Sequence, residues 1–111
     1  MDRLQDLFEL QKRFQFELTG LKPPIRDVDQ VKNSIISMIA EIGEILEEYQ
    51  YWKYWRRKPP IPDNSKLLIE LVDLWHFVIN LTLYLGFDYE ELYLAFIKKN
   101  EINFRRQEED Y

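Results

Sequence analysis

Two acidic doublets carry the clearest chemical signal in the chain: Glu41-Ile-Gly-Glu44 and Glu70-Leu-Val-Asp73. Each sets two carboxylates three residues apart, and on a helix that spacing puts both on one face, about 5–6 Å apart at Cβ. Ile39, Ile42, Ile45 and Leu46 surround the first pair, while Leu68, Ile69, Leu71, Val72 and Leu74 surround the second. The acids therefore stand where the pattern otherwise asks for core. Four carboxylates gathered at one depth repel one another and lose hydration, which is tolerable with a cation, a bound proton or access to water. An all-oxygen ligand set suits a hard cation, Mg²⁺ or Mn²⁺, rather than zinc. The competing reading is a pair of solvated helix faces, since Glu-x-x-Glu recurs in many helices. Two doublets in successive apolar-flanked helices favour the metal. Glu47 and Glu48 extend the first cluster by a turn, and Glu48 shares the stripe of Glu41, where it is placed for a second ion or a water; at least one of the two is expected to be solvated.

The run Asp73-Leu-Trp-His76 echoes the acid-x-x-His spacing of di-iron bundles, but such a site needs that element twice and His76 is the chain's single histidine. Its expected place is a partly buried position, hydrogen-bonded inside the fold. Phe77, four residues beyond Asp73, shares the acid's face and serves either a ligand or plain core. Asn80, one stripe position further on, is a polar break in the run from Phe77 to Leu85, and either a ligand contact or a helix-to-helix hydrogen bond explains it. Lys99, Asn103 and Arg106 fall at i, i+4 and i+7, a single stripe of polar and cationic groups on a helix, interrupted by Glu101.

These residues must be positioned by helices, because the apolar spacing is helical throughout. Leu4, Leu7, Phe8, Leu10, Phe14 and Leu18 recur at three- and four-residue steps, predicting a helix over about Asp2 to Thr19 with Gly20 as its C-cap. A second starts near Asp27 or Asp29 and is expected to run toward Tyr54, ahead of the basic cluster Arg56-Arg57-Lys58 that suits a helix C-terminus. The third follows Asp63-Asn64-Ser65, continues to Leu85 and stops at Gly86. Asp88 with Glu91 reads as a capping box opening a fourth helix toward Gln107. Proline clusters at Pro23-Pro24 and Pro59 to Pro62 mark the breaks. No segment alternates as a strand would, so the expected fold is an all-α four-helix bundle in one domain spanning residues 1–111.

Composition narrows the functional classes. At 111 residues with 46% hydrophobic and 15% aromatic side chains, the chain can build one core, yet a domain this small hides only about two-thirds of its unfolded surface. Burial of part of Trp52, Trp55 or the third helix in a homodimer or higher homo-oligomer is therefore expected. Fifteen basic against twenty acidic residues give a net charge of −5, which argues against nucleic acid or an anionic membrane as partner. An anionic substrate then needs a bridging cation. The absence of cysteine excludes disulfides, thiolate metal sites and a cysteine nucleophile. The N-terminus has no secretory pattern, and the longest apolar stretch, Leu67 to Leu85, is broken by Glu70, Asp73, His76 and Asn80. A cytoplasmic protein is expected.

The ordered elements Glu41-Ile-Gly-Glu44 through Tyr51-Trp52-Lys53-Tyr54-Trp55, Ile69-Glu70-Leu-Val-Asp73-Leu-Trp75-His76-Phe77, and Lys99-Asn100-Glu-Ile-Asn103-Phe-Arg-Arg106-Gln107 with a final Tyr111 resemble the all-α dimeric dUTPases, within the larger MazG-like group of nucleoside triphosphate pyrophosphohydrolases. The doublets by themselves point to the larger group; the Trp-Lys-x-Trp, Val-Asp-x-Trp-His-Phe and Lys-Asn-x-x-Asn-x-x-Arg-Gln elements point to dUTPase. The resemblance implies Mg²⁺-dependent hydrolysis of dUTP to dUMP and pyrophosphate, with Glu41, Glu44, Glu70 and Asp73 as metal ligands. Either Glu41 or Glu44 would also orient the attacking water. It further implies phosphate contacts from Lys99, Asn103, Arg106, Tyr111 and Lys53, and recognition of the base by the Gln11 amide, with Phe77 and Asn80 beside the nucleoside. The sequence departs from the pattern at Gln15, where asparagine is usual, at Asp110, where glycine is usual, and in the short Gly86-Phe87-Asp88 link, where larger members carry additional helices. Two alternatives stand beside dUTP: a MazG-like enzyme acting on dCTP or a broader set, and a non-catalytic helical assembly module.

Overall fold

A computed structural model describes residues 2–25 and 27–109. Four helices make up the fold in the order α1 (Arg3–Thr19), α2 (Val28–Glu48), α3 (Asn64–Tyr84) and α4 (Tyr89–Glu108), with a short 3-10 turn at Gln50–Trp52 after α2. The described residues contain no strand. Each α-helix starts on an aspartate in extended conformation, Asp2, Asp27, Asp63 or Asp88, whose side chain accepts a hydrogen bond from an otherwise orphaned first-turn N–H. At α4 the expected capping box is complete: Glu91 N–H donates to Asp88 at 2.7 Å and Asp88 N–H donates back to the Glu91 carboxylate at 3.3 Å. Gly20 closes α1 at φ 70, where a side chain would be strained.

The helix bounds differ from expectation at one place. α2 ends at Glu48 rather than near Tyr54, so its last turn holds no basic residue and Arg56-Arg57-Lys58 lies beyond it. Side chains claim the terminal carbonyls: Trp52 Nε1–H donates to Leu46 O at 2.8 Å, and Gln50 Nε2–H donates to Glu47 O at 2.9 Å. With those acceptors taken, the chain turns into the 3-10 segment instead of continuing the helix.

α3 is the central element, packed against α2 on one side and α1 on another. It is long and apolar enough to cross a bilayer by length and composition alone. Glu70, Asp73 and buried Asn80 interrupt the apolar run, and Leu68, Ile69, Leu71, Val72 and Trp75 on it stay exposed beside the two helices it packs against. The core gathers where α1 and α3 cross: Phe8, Ile79 and Leu83, joined by Leu4, Tyr89 and Leu92. Ile25 N–H donates to Tyr84 O at 2.9 Å, fastening the segment after α1 to the end of α3. α4 meets this core through its first turns and buries none of its own residues. The radius of gyration is 17.4 Å, against roughly 13 Å expected of a compact domain this size. The excess reflects a last helix that does not fold back along the other three, and Tyr93, Leu94, Phe96, Ile97 and Phe104 stay exposed on it.

Candidate functional site

α2 and α3 run antiparallel, and their acids pair in opposite chain order. After desolvation, Asp73 has the largest influence on Glu41, whereas Glu44 has the largest on Glu70. One carboxylate oxygen each from Glu41, Glu70 and Asp73 lie within 4.8 Å of one another, and all three residues are half-buried. Glu44 is more exposed and sits at the rim, close enough to act on both glutamates. Loss of hydration, then repulsion from Asp73, Glu70 and Glu44, raises the Glu41 carboxyl above its ordinary value. Glu70 is raised in the same way, first by desolvation and then by Glu44, Asp73 and Glu48. Glu41 Oε2 is buried with no hydrogen-bond partner. A buried carboxylate oxygen left without a donor is costly, and a divalent cation among three such oxygens satisfies it. The donor set thus fits a hard cation such as Mg²⁺.

Glu48 has one carboxylate oxygen engaged by the backbone. Its Oε1 accepts from the Asp63 backbone N–H at 3.2 Å, so it ties the end of α2 to the start of α3 and holds the two acidic faces in register. Asp63 itself is held below the usual carboxylate range, chiefly by the hydrogen bonds from the Lys66 backbone and the Ser65 side chain that make it the α3 cap.

Next to the acids opens a cleft of about 500 Å³ lined by Gln11, Phe14 and Gln15 of α1, Glu41 of α2, and Asp73, His76 and Phe77 of α3. Gln11, Phe77, Glu41 and Asp73 therefore share one space, whereas Glu44, Glu70 and Asn80 do not line it. A larger groove of about 730 Å³ runs along another face of α1 between Asp6 and Pro23, but it contains none of the acids of the cluster and no orphaned buried oxygen. Gln11 is 3% exposed, and its Oε1 lies 2.6 Å from His76 Nδ1. Tyr84 O–H donates to Gln15 Oε1 at 3.2 Å. His76 does hydrogen-bond within the fold as expected, but it is exposed rather than partly buried, because it lines the open cleft. Asn80 is 4% exposed with Oδ1 unpartnered, so the helix-to-helix hydrogen bond is not made by that oxygen.

The cationic residues are placed elsewhere. Lys53 follows the 3-10 turn with its Nζ 5.4 Å over the Trp52 ring. Lys99, Asn103 and Arg106 lie on the exposed length of α4, which packs against α1 and not against α2, and none of them lines the cleft. Within one chain they and the carboxylates are not brought together. Tyr111 and Asp110 lie outside the described residues. Phe14 and His76 were not singled out as site residues from the sequence; the signal for Phe14 was its place on the Gln11-Phe14-Gln15 stripe of α1.

A helical fold with three gathered carboxylates on two antiparallel helices beside an amide- and aromatic-lined cleft is of the MazG-like, all-α dUTPase type. The sequence model of the family described as dUTPase matches residues 3–86 and 78–111, and the chain belongs to this all-α dimeric dUTPase family. A dCTP pyrophosphatase of enterobacteria phage T4 is 41% identical over 49 residues, which are 44% of this chain and 29% of that protein. The match thus spans less than a third of the curated relative. No solved structure matches the chain.

Proposed function

We propose that the protein is a Mg²⁺-dependent pyrophosphohydrolase that opens the α–β phosphate bridge of dUTP with water, giving dUMP and pyrophosphate. The observation that carries this reading is the orphaned Glu41 oxygen inside the Glu41–Glu70–Asp73 cluster, adjoining a cleft sized for a nucleoside. Glu41, Glu70 and Asp73 would hold the cation, with Glu44 completing the set from the rim. When bound, the cation neutralises the triphosphate and lowers the pKa of a water, which a net −5 protein cannot do with its own acids. Glu41 or Glu44 orients that water and takes its proton. Gln11 meets the base and Phe77 packs on the nucleoside, while Asn80, buried one stripe position beyond Phe77, would support that side of the site from behind the lining. Lys53, Lys99, Asn103 and Arg106 supply positive charge and amide donors for the phosphates.

Because α4 leaves its apolar side uncovered and its cationic stripe away from the acids, the working form is a homodimer or larger homo-oligomer in which these surfaces are covered. The phage relative supports a second substrate, dCTP. The test is pyrophosphate release from dUTP, dCTP, dTTP, dATP, dGTP and UTP with Mg²⁺, using Glu41→Gln as the blank. Preferential cleavage of dUTP, lost in the variant, is expected. Faster cleavage of dCTP would select the second reading, and release from none of them would refute the enzyme.

A further inference from the structure

The contact between Gln11 and His76 bears on the choice between uracil and cytosine. An amide oxygen carries no hydrogen, so the proton in the 2.6 Å contact belongs to His76 Nδ1, which donates to Gln11 Oε1. With the carboxamide oxygen held on α3, the group Gln11 retains for the cleft is its NH₂. Gln15, one turn further along α1 on the same lining, repeats the arrangement, since its Oε1 is held by the Tyr84 hydroxyl at 3.2 Å. Both α1 glutamines thus have their acceptors engaged by α3 and their donors left over.

We propose that His76 is a positioning residue that sets base specificity: by holding the Gln11 carboxamide in one orientation, it makes the cleft present a hydrogen-bond donor to the pyrimidine edge. This rests on the reading of Gln11 as the base contact. The 4-oxo group of uracil accepts from such a donor. The 4-amino group of cytosine is itself a donor, and two N–H groups facing each other leave both unpaired in a desolvated site. Reversing the amide would reverse the preference, and it requires His76 to take the other tautomer, with Nδ1 unprotonated and accepting. Gln11 is 3% exposed, so little room remains for an unpartnered rotation.

The test exploits the near coincidence of Asn Nδ2 or Asp Oδ with the His Nδ1 position. His76→Asn keeps a donor there, His76→Asp replaces it with an acceptor, and His76→Phe removes the hydrogen bond while keeping a ring. The readout is the ratio of kcat/KM for dUTP to that for dCTP, in which effects on metal and phosphates common to both substrates cancel. His76→Asn should hold the wild-type ratio within about threefold. His76→Phe should lower it about tenfold, as for loss of one hydrogen bond's discrimination, and His76→Asp should lower it further, toward dCTP.

Binding of dUMP and dCMP by calorimetry gives the same ratio without turnover. Nitrogen-15 NMR of the single histidine reports its tautomer directly. Nδ1–H is expected in the neutral ring; an unprotonated Nδ1 overturns the proposal. An unchanged ratio in the Phe and Asp variants, with hydrolysis intact, also overturns it and leaves the hydrolase reading standing. Absence of hydrolysis with His76-dependent preference for dUMP refutes the hydrolase reading and leaves the role of His76. Absence of both refutes both.

Discussion

Replacing Glu41 by Gln should stabilise the metal-free protein while abolishing its response to Mg²⁺. Two unit charges 4.8 Å apart, the spacing that bounds the Glu41 and Asp73 oxygens, repel by about 0.9 kcal/mol in water and about 3.5 kcal/mol at an effective dielectric of about 20. Both residues are half-buried, so water screens much of the repulsion and the lower half of that interval applies, about 1–2 kcal/mol. Glu70 and Glu44 act on Glu41 in the same direction. Glutamine keeps the shape and removes the charge, and its amide gives the site a donor it lacks. A gain of this size raises Tm by about 4–8 °C. Mg²⁺ at a hundred times its Kd stabilises the wild type by about 2.7 kcal/mol and should do nothing for the variant. Thermal unfolding in EDTA and in excess Mg²⁺ would therefore show the variant melting above the wild type without metal and at or below it with metal. A variant less stable than wild type in EDTA, or equally stabilised by Mg²⁺, would refute the reasoning.

Four further outcomes are expected. In the metal-free wild type, the folded Glu41 binds protons more tightly than the unfolded chain, whose value is near 4.5. Stability should thus fall as pH rises from about 4.5 through the raised folded value, and Glu41→Gln should flatten that part of a urea-midpoint profile measured in EDTA. Phe8→Ala, at a side chain 2% exposed where α1, α3 and α4 meet, should cost about 3–5 kcal/mol by urea denaturation. Gly86→Ala should cost about 1–2 kcal/mol by the same assay, since residue 86 sits at φ +91 and an added Cβ would come within 3.3 Å of Pro24 Cβ. Lys99→Ala should raise KM for dUTP about tenfold without moving the Mg²⁺-induced Tm shift; an unchanged KM would remove α4 from the phosphate site.

Most of the fold was legible because its signals are local. Four aspartate caps, two glycine stops and an unbroken helical period do not depend on what packs against what, and the observed helices begin within a residue or two of the expected positions. α2 was read too long because its end is decided by Trp52 and Gln50 reaching back for carbonyls, side-chain choices that periodicity does not carry. The acids were legible as a cluster because both doublets keep helical spacing on successive helices; the expectation that their flanks are core does not hold, since Ile39, Ile42, Leu46, Leu68, Ile69, Leu71 and Val72 are exposed. What could not be read was their ranking: Glu41 orphaned and enclosed, Glu44 at the rim, Glu48 spent on the Asp63 backbone. His76 was placed correctly as a hydrogen-bonded residue, but its partner lies 65 positions away, and only the crossing of α1 over α3 makes Gln11 that partner. The α4 stripe was legible as a stripe; the angle at which α4 leaves the core was not, because the three residues of the link carry no signal for it.

That angle also sets how stability is distributed along the chain. The backbone hydrogen bonds of α4 close within the helix and its start is capped, yet only Tyr89 and Leu92 anchor it to the shared core. Unwinding it from Ala95 onward gives up helix hydrogen bonds and almost no buried apolar area, whereas opening α3 dismantles the core itself. In a lone chain, amide-exchange protection is consequently graded, highest at Ile79 to Tyr84 and declining along α4 toward Glu108. In the proposed homo-oligomer the far end of α4, which carries Lys99 and Asn103, would gain rigidity from the surface it docks on, so the order of those residues would depend on assembly as well as on the chain that encodes them.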